Sequence, residues 1–79
     1  MRKAVLANNH KMVLLALSKG DRYPLILEEI AATAGLSFER AWYAVLELIE
    51  LRLLTPTRIG LYGLTIEGRE TASRLSAPG

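Results

Sequence analysis

Seventy-nine residues, about half of them apolar, make one domain with a single modest core. A chain of this size buries about 60–65 % of the surface its unfolded form exposes, so its margin is thin and pairing with a second copy would help it. The absence of cysteine excludes disulfides and thiolate metal sites, and the longest apolar run, Met12 to Leu17, falls far short of the ~20 residues a membrane span needs. Arg2 and Lys3 ahead of Ala4, Val5 and Leu6 resemble the start of a signal peptide. Asn8, Asn9, His10 and Lys11 then interrupt the apolar core such a peptide requires, so a soluble cytoplasmic protein is expected.

The net charge of +2 is small, but it is unevenly spread. Residues 1–26 are net +4, with Arg2, Lys3, Lys11, Lys19 and Arg22 against Asp21. Residues 27–51 are net −4, with Arg40 alone against Glu28, Glu29, Glu39, Glu47 and Glu50. Residues 52–79 return to +2, with Arg52, Arg58, Arg69 and Arg74 against Glu67 and Glu70.

In chain order, Leu6, Val13, Leu14 and Leu17 recur at helical spacing, with Val5 and Ala16 beside them, which predicts a first helix from about Arg2 to Lys19. Gly20 suits the position just past its end, and Lys19 complements its dipole. Met12 and Leu15 fall off the main stripe, either packing under the last helix or offering a dimer contact. Residues 20–24 read as a loop, with Tyr23 held extended by Pro24. Leu25 can form a strand of one or two residues. A second helix is expected over Leu27 to Ala34, burying Leu27, Ile30 and Ala31 and ending at Gly35. Ile26 stands where Ser, Thr or Asp would ordinarily cap it.

Ser37 can cap a third helix running to about Leu51, with Glu39 favourably placed in its first turn. Arg52 occupies the site past its end that glycine commonly fills, at a modest strain cost if left-handed. Leu53 to Arg58 and Leu61 to Leu64 read as two strands around a turn at Ile59-Gly60, and Pro56 suits an edge strand. Thr65 can cap a last helix from Ile66 to about Leu75 that buries Ile66, Ala72 and Leu75, with residues 76–79 frayed.

Three segments then stand out together: Leu27-Glu28-Glu29-Ile30-Ala31, Gly35-Leu36-Ser37 and Leu53-Leu54-Thr55. They are followed by Tyr62 to Glu70, which is similar to the hairpin exit and last-helix start of many small prokaryotic regulators. In this order and spacing, from about Val13 to Leu75, the chain resembles the winged helix-turn-helix family. The resemblance implies a mainly α, α+β fold: a three-helix core, a short hairpin wing of two or three strands and a C-terminal helix. It also implies a DNA-binding transcription regulator that acts as a homodimer on double-stranded DNA. Carried over residue by residue, the family's contact positions fall on Ser37, Phe38, Glu39, Arg40, Trp42, Tyr43 and Leu46, with the wing contact on Arg58. Phe38, Trp42 and Leu46 stand where polar or basic residues are commoner.

At about 100° per residue, Ala41, Ala44, Val45 and Leu48 centre the buried face of the third helix. Phe38, Trp42, Leu46 and Ile49 widen its apolar arc to roughly 200°. The remaining arc holds Glu39, Glu50, Tyr43, Glu47 and Arg40, and three carboxylates there would be repelled by phosphates. Trp42 and Phe38 therefore cover the core against the first helix or the hairpin, or anchor a protein interface such as a symmetric dimer, or else Trp42 or Tyr43 touches bases directly. An interaction module inside a larger assembly, gripping its partner through Phe38, Trp42 and Leu46, is the alternative to DNA binding. His10 has no second ligand at metal spacing, and no nucleophile set or phosphate loop is present. Neither enzymatic activity, a cofactor nor a metal is expected.

Overall fold

The computed structural model describes residues 6–19, 24–58 and 60–76. Its elements run α1 (Asn8–Lys19), β1 (Leu25–Ile26), α2 (Leu27–Ala34), α3 (Phe38–Glu50), β2 (Leu54–Arg58), β3 (Leu61–Leu64) and α4 (Ile66–Ser76). This is a winged helix fold, mainly α, with four helices and a three-stranded antiparallel sheet in the order β1-β3-β2. Gly20, Tyr23 and the turn residue Ile59 lie outside the described residues, as do residues 77–79.

α1 packs against α2, α3, α4 and β3, and so forms the hub of the core. Its inward side chains are Val13, Leu14, Ala16 and Leu17. Around them, Ile30 of α2, Ala41, Val45 and Leu48 of α3, Leu54 of β2 and Ala72 of α4 are almost wholly buried. The helix starts later than its apolar spacing predicts, because Leu6 and Ala7 are not helical. The physical reason is a cap: the Ala7 carbonyl accepts the Lys11 N–H at 3.1 Å, and His10 Nδ1 accepts the Ala7 N–H at 3.0 Å. That return bond from the third helical residue is half of a capping box, with imidazole in the place of the usual Glu or Gln. Leu6 still packs on the core from outside the helix. Met12 and Leu15 are half-buried and line a depression with Thr33 and Ala34 of α2.

α2 has the expected bounds. No side chain caps it at Ile26, and Glu28 and Glu29 in the first turn supply the compensating negative charge. Gly35 at φ 74° ends it, with the Gly35 and Leu36 amides returning to the Ala32 and Ala31 carbonyls at 3.3 and 3.0 Å. α3 opens at Ser37, whose Oγ accepts the Arg40 N–H at 3.2 Å. It ends in the same paired-bond motif: Arg52 N–H reaches the Ile49 carbonyl and Leu53 N–H the Leu48 carbonyl, each at 3.0 Å. Arg52 carries the left-handed φ of 64° that this closure demands of a residue with a Cβ.

The wing is β2 and β3, with β1 pairing on the far side of β3 through Leu25–Tyr62 and Ile26–Leu61. β2 is an edge strand, so Pro56 sacrifices no ladder bond on its open side. Pro56 pairs with Tyr62 and Arg58 with Leu61, leaving Thr57 as the extra residue of a bulge that bends the wing near its tip. The bulge and the proline together blunt the open edge.

α4 departs from expectation at its first residue. Ile66 is 74 % exposed; the inward positions are Gly68, Ala72 and Leu75, an i, i+4, i+7 stripe. Gly68 sets this rotation, because it lies against the Leu53 carbonyl so closely that any Cβ would collide with that oxygen. Ile66 sits two residues away, about 200° around the helix, and must point out. Thr65 locks the corner: its hydroxyl donates to the Arg52 carbonyl at 2.7 Å and accepts the Gly68 N–H at 2.9 Å, while its own N–H reaches the Leu53 carbonyl at 3.2 Å.

Two stability effects are expected. Gly68→Ala should destabilise the chain by about 1–3 kcal/mol, measured by urea unfolding, since the obstructing atom is backbone and cannot swing aside. Arg52→Gly should raise stability by about 0.5–1 kcal/mol in the same assay, by relieving the left-handed strain.

Candidate functional site

The candidate site is the outward side of α3 and the adjoining wing. Ala41, Ala44, Val45 and Leu48 anchor α3 to α1 and α2, which turns every other residue of Phe38–Glu50 except half-buried Ile49 to the surface. Ser37, Arg40 and Tyr43 lie toward the N-terminal half of the helix; Tyr43, at 62 % exposure, projects straight outward. In the wing, Thr55, Pro56, Thr57 and Arg58 are all exposed. The sequence-chosen residues Ser37, Arg40, Trp42, Tyr43 and Arg58 are thus all on the surface, with Ser37 already committed to capping.

Phe38, Trp42 and Leu46 are 54, 37 and 40 % exposed, so each rests partly on the fold and leaves apolar surface open to solvent. Their i, i+4, i+8 spacing makes them one ridge along the helix. Ile49, the next residue on that side, packs at the root of the wing, where it lines a cleft with Leu54, Thr55, Thr65 and Glu67. Met12 and Leu15 belong to a separate depression between α1 and α2 that holds none of the α3 residues.

One carboxylate of the polar arc of α3 has a fixed partner. Glu47 is engaged: its Oε1 meets His10 Nε2 at 2.5 Å and ties α1 to α3. The same imidazole must accept the Ala7 N–H at Nδ1, which leaves Nδ1 without a proton. Neutral His10 therefore carries its proton on Nε2 and donates it to Glu47. Sequence reasoning left His10 without a role, because its partner is 37 positions away and its capping role depends on where the helix begins. Glu39 and Glu50 remain on the exposed surface beside the ridge.

Among the described residues, no group of three or more His, Asp or Glu side chains could hold a metal ion. No helix there is long and apolar enough to cross a membrane.

No protein-family model matches the chain, and no curated protein matches it either. Solved structures do. The chain superposes over 86 % of its length on a protein of unknown function from Listeria innocua Clip11262, with a TM-score of 0.76 and 24 % identity. It spans 49 % of that chain. Over 92 % of its length it also matches the whole of a "putative DNA-binding protein" from Ralstonia eutropha JMP134, with a TM-score of 0.72 and 23 % identity. At these identities the likeness shows that the fold is shared.

A double-mutant cycle at the His10–Glu47 link checks the site's support. His10→Ala alone should cost about 1 kcal/mol, chiefly through the lost cap of α1. The coupling to Glu47→Ala should be about 0.2–1 kcal/mol, because the carboxylate is well exposed to solvent. A coupling near zero would show that His10 acts only on its own helix.

Proposed function

We propose that this chain is a DNA-binding winged-helix protein that regulates transcription as a homodimer. The observation that carries the proposal is the placement of α3. It lies on the surface with α1 and α2 packed behind it, and it is followed directly by a wing whose exposed strand ends in Arg58. In helix-turn-helix proteins this is the geometry that brings the second helix of the pair into a major groove. Arg40 neutralises phosphate from the helix and Arg58 from the wing, while Tyr43 and the Ser37 hydroxyl hydrogen supply uncharged donors. The name of the Ralstonia neighbour lends support of the same kind.

One copy offers few cations in this region, so affinity depends on two copies reading neighbouring half-sites. Met12 and Leu15, half-buried beside α2, are apolar surface available for that pairing. Titration of a labelled duplex pool at low salt tests the proposal by anisotropy. Binding should weaken with salt, and Arg40→Ala with Arg58→Ala should lower the slope of log affinity against log salt by about 3.6 for the dimer, two phosphate contacts' worth in each copy. An unchanged slope, or no binding at low salt, would sink the proposal.

A second reading has its own observation. The exposed ridge of Phe38, Trp42 and Leu46 is apolar surface of the kind that anchors protein partners, which favours a winged-helix interaction module within a larger assembly.

A further inference from the structure

We propose that the α3 ridge docks a basic amphipathic helix from another protein. This rests on the second reading above, that the ridge holds protein, and adds what that protein must look like. Phe38, Trp42 and Leu46 supply three apolar anchors in a row, and Ile49 continues the row into the cleft at the root of the wing. A partner helix lying along this row would meet it with its own i, i+3 or i+4, i+7 side chains.

Charge selects among the possible occupants. The solvent side of the ridge is bordered by Glu39 near one end of α3 and Glu50 near the other, with uncharged Tyr43 between them. At the wing end the cleft adds Glu67 and one cation, Arg52. A phosphate backbone placed along this border meets carboxylates first. A second copy packed antiparallel fares little better. Two α3 helices packed ridge to ridge about a twofold axis perpendicular to them set each flank against the same flank of its mate in reverse. The centre of such a pair falls midway between Trp42 and Leu46, and Glu39 and Glu50 lie at nearly equal distances to either side. Glu39 of each copy would therefore sit beside Glu50 of the other, a repulsive pairing at both ends. A helix with lysine or arginine flanking its apolar stripe meets the same two carboxylates favourably. Its aliphatic stems also cover the rims of Phe38 and Leu46.

Trp42 is the single tryptophan of the chain, so its emission reports occupancy of the ridge directly. The full chain is titrated with a synthetic tryptophan-free Leu/Lys amphipathic peptide and with its Leu/Glu counterpart, and its association state is followed by sedimentation equilibrium. The expected result is a saturable blue shift with the Leu/Lys peptide, weakened by salt and absent with Leu/Glu. Glu39→Gln with Glu50→Gln should weaken that binding by roughly 3- to 10-fold, and Leu46→Ala by about 10-fold, with thermal melting essentially retained. Equal response to both peptides would overturn the charge selection while leaving the ridge a protein-binding surface. Self-association abolished by Leu46→Ala would make a second copy the occupant and overturn the proposal. A monomer that responds to neither peptide would remove both the proposal and the second reading.

Discussion

The fold turns on the carbonyl of Leu53. It accepts the Thr65 amide, and it lies against the bare Cα of Gly68, so the start of α4 is fixed on the corner between α3 and β2. Thr65 completes the corner by bonding the neighbouring Arg52 carbonyl and capping α4 with one hydroxyl. Both carbonyls are available because Arg52 accepts a left-handed backbone, which turns the chain out of α3 into the wing. A strained residue, a glycine without room for a methyl group and a doubly bonded threonine therefore form one unit. The helix that covers α1 and the hairpin that flanks α3 are both oriented by it. The wing's direction relative to α3 is thus a property of backbone contacts, with little help from large side chains.

Most of this architecture is legible in the sequence because its boundaries are marked by local chemistry. Gly35 and Ser37 bracket a turn that admits few alternatives, and the stripe Leu27, Ile30, Ala31, Ala34 has one helical phase. Pro56 and Gly60 place a hairpin with its open edge on β2. What escaped was decided by partners distant in sequence. Ile66 follows a capping threonine and looks like the first buried residue of a helix, yet the contact that sets the helix's rotation comes from Leu53. The start of α1 was misplaced because Leu6 is apolar and correctly spaced, whereas the stop is an imidazole bond to a backbone amide. The surface residues of the site were readable from α3's phase alone, because four small or branched side chains fix which face is hidden.

The breadth of α3's apolar arc is where sequence and fold differ most usefully. A helix resting on α1 and α2 buries the stripe Ala41, Ala44, Val45 and Leu48, with Ile49 packed against the core beside it. Phe38, Trp42 and Leu46 lie outside that stripe. Exposed aromatic and aliphatic side chains in a continuous row carry a solubility cost that a small, thinly stable domain gains nothing from internally.

The two sides of α3 then have different electrostatic characters. Toward α1, Glu47 is tied to His10 and Arg40 stands exposed, so the local field there is close to balanced. Toward the wing, the ridge is bordered by Glu39 and Glu50 without a nearby acceptor of their charge among the described salt bridges. A duplex would favour the first side and draw much of its affinity from Arg58 and the basic ends of the chain. A basic protein helix would favour the second. Both occupants need the same thirteen-residue helix held at one angle to the wing. The Leu53–Thr65–Gly68 corner holds that angle, so loosening it should weaken both kinds of contact together, even though neither Leu53 nor Gly68 is on the proposed binding face.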